Sequence, residues 1–309
     1  MSTKSISTLE MTHDEWLARR FESIGASEAG SILGINPYKS AVDVYLEKVL
    51  RVTDFPDNLN MWLGRELEPI IKKRFEEETG FKVRNDHKIR VDNEHSFLTT
   101  NLDGMVVGDR VPVEYKALGR WDGEIPDYYF SQVQHQMMVS DSEYAYFVVL
   151  LLAGRKEFII EKVDRNDEFV ASMRSEEVAF WQEHVEKQIP PEPETIEDVK
   201  NIYREATKGA SLEVKDSNLQ HKINLFIDTK TQAKELKLTA DNLQRDILGI
   251  MGGHEYLIDG NTGEQIATWK QGNMQNKFNM AKFKEENPDL HSQYVENKPG
   301  YRRFLIKRG

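Results

Sequence analysis

The feature that most constrains this chain is a block of β signals between residues 81 and 163, interrupted by one helical window. Phe81 to Val91 alternates in part, and Leu102 to Val107 is apolar. Gly108–Asp109–Arg110 reads as a turn, after which Val111 to Leu118 returns as a strand. Residues 127–140 suit a helix, and Tyr144 to Leu152 and Glu157 to Val163 make two more strands around Gly154. Helical signals flank the block. One helix is expected over residues 13–21, a short one follows the Gly25–Ala26–Ser27–Glu28 turn, and Ser40 is placed to cap another through Leu50. A longer helix over residues 61–78 carries Leu63, Leu67, Ile70, Ile71 and Phe75 on one face. Asn166 to Gln188 reads as a further helix. The expected class is α/β (α+β), a central mixed sheet flanked by helices.

Ile189–Pro190–Pro191–Glu192–Pro193 cannot continue a helix, because proline lacks the amide donor and clashes with the preceding turn. A domain over 1–190, a linker over 191–210 and a smaller α+β unit over 211–309 are therefore expected. In that last unit Leu219, Ile223, Phe226, Ala233, Leu236, Ala240, Leu243, Ile247 and Ile250 recur at spacings of three, four and occasionally seven. This suits a long helix or helical hairpin with an apolar seam. Glu255 to Ile258 and Gln265 to Lys270 flank Asp259–Gly260–Asn261–Thr262–Gly263, a hairpin signature. A helix around Met280 to Val295 and a strand from Tyr301 to Lys307 complete the expectation.

Composition narrows the chemistry. With no cysteine, disulfides, zinc ribbons and thiol catalysis are excluded. The eight histidines form no close ligand pair, so any metal would sit on hard oxygen donors, favouring magnesium or manganese over zinc. The start of the chain lacks a signal-peptide pattern and no apolar run approaches the ~20 residues of a membrane span. A cytoplasmic protein with no membrane partner is expected. The net charge of −11 is uneven: residues 1–210 carry 26 Lys/Arg against 39 Asp/Glu, and residues 211–309 carry 15 against 13. An acidic metal site and a local basic channel can coexist in such a chain.

The chemistry-bearing constellation lies in the β block. Asp103 stands between Leu102 and the Met105–Val106–Val107 run, where a lone charge is unexpected. Glu114 and Lys116 share one face of the next strand, roughly 6.6 Å apart, while Val111, Val113, Tyr115 and Ala117 fill the other. A hairpin can bring Asp103 beside Glu114. Two carboxylates and the Tyr115 carbonyl then offer oxygen ligands suited to magnesium. The Lys116 ammonium can stabilise charge developing on a phosphorane. This is phosphodiester-hydrolysis chemistry; the bland alternative is an exposed Glu–Lys pair on a solvated strand.

Five blocks, in order, resemble the lambda-exonuclease-like (YqaJ-type) viral recombinase family of PD-(D/E)XK nucleases. They are Arg20 through Ser23–Ile24–Gly25–Ala26–Ser27–Glu28; Trp62–Leu63–Gly64–Arg65–Glu66–Leu67–Glu68; Leu102–Asp103–Gly104; Glu114–Tyr115–Lys116; and Gln132–Val133–Gln134. They span roughly residues 15–188. The resemblance implies a restriction-endonuclease-like core with Asp103, Glu114 and the Tyr115 carbonyl as ligands of Mg2+ (Mn2+ as substitute). It implies Lys116 as the catalytic lysine and Glu68 as the helix carboxylate completing the site. Gln132 would help place the nucleophilic water, and Arg20 and Ser27 would grip a phosphate, in this family typically the 5′-phosphate of a DNA end. The implied activity is 5′→3′ resection of linear double-stranded DNA, leaving 3′ tails for a single-strand annealing recombinase. A homo-oligomer is implied too.

The residues themselves leave alternatives open. Glu66 and Glu68 both border the apolar face of their helix, and only family spacing favours Glu68. Gln132 and Gln136 share a helix face while Gln134 points elsewhere. Ser27 could cap the following helix, which is compatible with anion binding. His135 reads as a neighbour of the site, not a ligand. The aromatic and basic residues Tyr301, Arg302, Arg303, Phe304 and Lys307 suit a half-buried strand better than a DNA contact. Rival functions are a structure-selective or restriction-type endonuclease with the same metal site, and a catalytically silent DNA-binding assembly protein.

Overall fold

Short polar side chains start several helices in this computed structural model, which describes residues 4–51, 59–154, 157–274, 276–295, 300 and 302–306. The described elements run β1 (Lys4–Ser7), α1 (His13–Phe21), β2 (Ile24–Gly25), α2 (Ala29–Ile32), α3 (Ala41–Leu50), α4 (Leu59–Thr79), β3 (Val83–Val91), β4 (Leu98–Val106) and β5 (Pro112–Leu118). They continue with α5 (Asp127–Ser140), β6 (Tyr144–Leu151), β7 (Phe158–Asp164), α6 (Asp167–Phe180) and α7 (Ile196–Ile202). Thr12 and Glu15 form a reciprocal capping box at α1, as do Ser40 and Asp43 at α3 and Thr195 and Asp198 at α7. The chain divides into two compact units, 1–204 and 205–309.

In the first unit seven described strands make one mixed sheet in the order β1-β3-β4-β5-β6-β7, with β2 paired to β4. Only β2–β4 and β5–β6 are parallel. Parallel neighbours need a crossover, and α5 supplies it between β5 and β6. The strand alternation sorts side chains to opposite faces. Val113, Tyr115 and Val148 pack with Ile71 and Phe75 of α4. Phe147 and Val149, one residue out of phase with Val148, pack with Val133 and Met137 of α5. Glu114, paired in register with Phe147, therefore faces α5.

One edge of β4 explains the site. Because β3 occupies the other edge, β2 and β5 share this one end to end: β2 pairs at Leu98 and Thr99, β5 at Gly104 and Met105. Residues 100–103 lie in the gap between them. Continuing the β4–β5 register would set Asp103 directly opposite Glu114, and like charges so placed are destabilising. The strands splay instead, and the Tyr115 amide donates to the Asp103 carboxylate at 3.0 Å. Gly104 permits the packing beside the gap. A Cβ there would lie 2.5 Å from Val83 Cγ1 and 3.1 Å from the Tyr115 hydroxyl oxygen. Gly104→Ala is expected to cost about 1–3 kcal/mol by overpacking, read as a lower urea midpoint; an unchanged midpoint would mean that Val83 and Tyr115 can move aside freely.

Several expectations change. Ile70, assigned to the apolar face of its helix, is 58% exposed, whereas Ile71 and Phe75 are fully buried. Strands β1 and β2 lie in stretches that carry no strand signal of their own. The helix from residue 166 leaves α geometry at Trp181–Val185, which form a π turn. The stretch 191–210 contains α7, whose buried Asp198 accepts from the Ser40 hydroxyl at 2.6 Å and so fastens it to the start of α3.

The second unit holds α8 (Ser217–Met251), a hairpin of β8 (Tyr256–Ile258) and β9 (Gln265–Thr268), and the short helices α9 (Met280–Glu286) and α10 (Pro288–Gln293). The single helix expected around 280–295 is divided because Pro288 starts a new one. Residues 302–306 form no strand, contrary to expectation; Tyr301 and Lys307 lie outside the described residues. Among the described residues, no helix is long and apolar enough to cross a membrane.

Candidate active site

Glu114 is buried on β5 and engaged from two elements. Gln132 Nε2 donates to its Oε1 at 2.6 Å, and Gln136 Nε2, one helical turn along α5, donates to its Oε2 at 2.5 Å. Lys116 Nζ stands 2.6 Å from Oε1 and 4.8 Å from the centre of the Tyr129 ring. Strand alternation puts Lys116 on the same face as Glu114, and the crossover lays α5 over both. The i, i+4 spacing lets two amides reach the two oxygens of one carboxylate.

Asp103 opens onto a cleft of about 290 Å³ also lined by Glu68, Pro69, Lys72, Lys73, Glu76, Asn85 and Tyr115. Glu68 is half-buried there, whereas Glu66 is exposed and does not line the cleft. Pro69 lies inside α4, so the helix lacks one amide donor just after Glu68.

The three carboxylates feel one another. Burial and the Glu114 charge raise Asp103 well above the usual aspartate range, against the pull of Lys116 and the Tyr115 amide. Burial and Glu114 raise Glu68 as well. For Lys116 burial opposes the charge, but Glu114 and Asp103 outweigh it and hold the ammonium above its ordinary range.

This donor set suits a hard cation. It offers carboxylate oxygens with no thiolate or imidazole among them, and their mutual repulsion is what a divalent ion relieves. No ready-made shell of three acidic or histidine ligands exists among the described residues. A cation would have to draw the carboxylates together.

A second cleft, of about 120 Å³, adjoins the same gap in the sheet. Arg20, Ser27, Gly25, Trp16, Thr99 and Gln132 are among its lining residues. The structure thus brings Arg20 and Ser27 together with Gln132, which also bonds Glu114. Ser27 is exposed and is not a helix cap; the Glu28 carboxylate instead accepts from the Gly25 amide at 2.9 Å. Glu28 is buried, 2.7 Å from Lys48 Nζ and 3.6 Å from Arg20 Nη2. It orients the guanidinium that lines the cleft.

His135 is buried between elements, with Nε2 donating to the Thr99 carbonyl at 2.9 Å and Nδ1 2.7 Å from Glu177 Oε1. It braces α5 against β4 and α6 and stands apart from the two clefts. Gln134 does point elsewhere, donating to the Asp164 carbonyl and accepting from the Asn166 amide. Sequence reasoning placed Gln136 on the face of Gln132 without giving it a task; the shared face was the available signal. Glu28 stood in the first family block without a task, and nothing local marked Lys48 or Lys72, because their positions depend on contacts distant in the chain.

Residues 15–143 match the YqaJ-like viral recombinase domain. Over 311 aligned positions the chain is 32% identical to a Bacillus subtilis (strain 168) protein described as uncharacterized protein YqaJ, covering 96% of this chain and 95% of that one. A protein of Acanthamoeba polyphaga mimivirus, described as uncharacterized protein R354, is 26% identical over 159 residues, or 45% of this chain and 29% of that one. Among solved structures, the alkaline exonuclease LHK-Exo of Laribacter hongkongensis is similar at a TM-score of 0.49, with 24% identity over 57% of this chain and 94% of that chain. With a relative matched along nearly its full length and the domain spanning both clefts, the chain belongs to the YqaJ-like viral recombinase family.

Proposed function

We propose that the protein is a divalent-cation-dependent deoxyribonuclease that resects linear duplex DNA 5′→3′ and leaves a 3′ single-stranded tail. The observation that carries this reading is the joining of Asp103, Glu114 and Lys116 at one gap in the sheet, with Glu68 on the adjoining cleft. Family membership supports action on DNA, and a single-strand annealing recombinase is the partner that such a tail would serve.

Asp103, Glu114, Glu68 and the Tyr115 carbonyl would hold Mg2+, with Mn2+ as the substitute. When bound, such a cation polarises a phosphoryl oxygen and eases deprotonation of water. The chain's own groups do the rest. Gln132 and Gln136 fix both Glu114 oxygens, so that the carboxylate keeps one orientation. The Lys116 ammonium stabilises negative charge as it develops on the phosphoryl group. Arg20, set by Glu28, and Ser27 would bind the terminal 5′-phosphate and thereby place the next phosphodiester.

A magnesium titration of strand-specific digestion on linear and circular duplexes tests the reading. Progressive loss of 5′-end label from linear DNA, with circles untouched, is expected; discrete cuts on circles would replace it with an endonuclease. Arg20→Ala should slow digestion of 5′-phosphorylated ends about tenfold or more, the loss of one charge-assisted contact, and affect hydroxyl ends less. Equal loss on both would remove Arg20 from the terminal phosphate.

A further inference from the structure

Helix α8 is 35 residues long and has one buried residue, Met251. Long amphipathic helices draw most of their stability from burying an apolar stripe, yet nothing described within its own unit covers this one. Leu236 is 71% exposed, Leu243 59%, Ile247 46% and Ile250 83%. Toward the start of the helix Phe226 has a partner, the Phe304 ring 5.7 Å away in the same unit. The exposed seam runs from Ala233 to Ile250.

Within it, Ala233, Leu236, Ala240, Leu243, Ile247 and Ile250 alternate at steps of three and four, the a/d pattern of a coiled coil. Their order is symmetric. Ala233 with Ile250, Leu236 with Ile247, and Ala240 with Leu243 all share one midpoint, between Asp241 and Asn242. Two copies laid antiparallel about that midpoint give every layer at least one large side chain. A parallel pair would set Ala233 on Ala233 and Ala240 on Ala240, leaving holes that weaken a core. Charge agrees: in the antiparallel pair Lys237 flanks Gln244 of the second copy and Thr239 flanks Asp246, so no like charges meet.

We propose that the seam of α8 is a homotypic interface, joining two copies of this chain as an antiparallel helix pair centred between residues 241 and 242. It is separate from the nuclease reading and stands if that reading fails.

The full chain is measured by light scattering after gel filtration, with Leu243→Asp on the seam and Leu238→Asp, equally exposed but off it, as the control. The parent and the Leu238 variant should share one mass, and the Leu243 variant should fall to half of it. A monomeric parent, or equal behaviour of the two variants, overturns the interface. Because the chain has no cysteine, direction is read by introduced thiols. Mixing Ala233→Cys with Ile250→Cys chains under oxidation should give a mixed disulfide dimer, while Ala233→Cys alone should give none. Efficient bridging of Ala233→Cys alone would overturn the antiparallel arrangement.

Discussion

Replacing Lys116 with alanine should slow phosphodiester cleavage by roughly 10²–10⁴-fold, the range for losing one positioned acid–base or charge-stabilising group. The ammonium stands 2.6 Å from Glu114 and is kept charged by Glu114 and Asp103. Its removal deletes positive charge where the phosphoryl group would gain negative charge. Glu114 retains the amides of Gln132 and Gln136, so the fold should survive. Single-turnover digestion of end-labelled duplex reads the chemistry. Urea unfolding, with DNA binding in calcium, shows whether the scaffold and substrate grip are intact. Parental cleavage by this variant would dismiss the site assignment, whatever the metal.

The second large effect concerns stability. Lys48→Met should destabilise the first unit by about 3–5 kcal/mol at neutral pH, since it leaves a buried carboxylate without its cation. Burial pushes the Glu28 carboxyl up, but Lys48, Arg20 and Lys39 outweigh it and bring it to about 2, from an ordinary 4.5. Burial also draws the Lys48 ammonium below its usual range. The charged pair is nonetheless the resident state, because Lys48 Nζ donates to Glu28 and to the Arg20 carbonyl together. The sign follows from the depressed Glu28 value. Its contribution is fully present above about pH 4.5 and is lost as pH falls toward 2. Urea unfolding across that window should show a larger loss in the parent than in a Glu28→Gln/Lys48→Met double variant, which keeps only the loss from other depressed carboxylates such as Asp92 and Asp198 and should also be milder than Lys48→Met alone. If the single variant unfolds with the parent, the pair is not a structural anchor.

What the sequence disclosed follows a physical line. Alternation across residues 111–117 shows directly which face carries Glu114 and Lys116, because the period of a strand depends on nothing outside it. Glu66 and Glu68 could not be separated by periodicity, since both flank the same apolar stripe; only the position of α4 on the sheet puts Glu68 in the cleft. The two-residue strand β2 was invisible for the same reason. Its pairing with Leu98 and Thr99 is a tertiary event, and without it the gap on β4 that opens the site cannot be inferred. Local pattern could not pair Glu28 with Lys48, which are twenty residues apart and meet only in the fold, and Ile70 read as core.

The crossover helix α5 also limits how the protein can change. It is the chain's only route from β5 to its parallel neighbour β6, and the same fourteen residues aim Gln132 and Gln136 at Glu114, Gln134 at the end of β7 and His135 at Glu177. Each residue added to a helix turns all that follow by about 100°. An insertion between Ser131 and His135 would thus misdirect at least two of these side chains at once, while the loops at either end could absorb added length. Relatives are therefore expected to differ in this segment by substitution, with indels pushed outward to its borders.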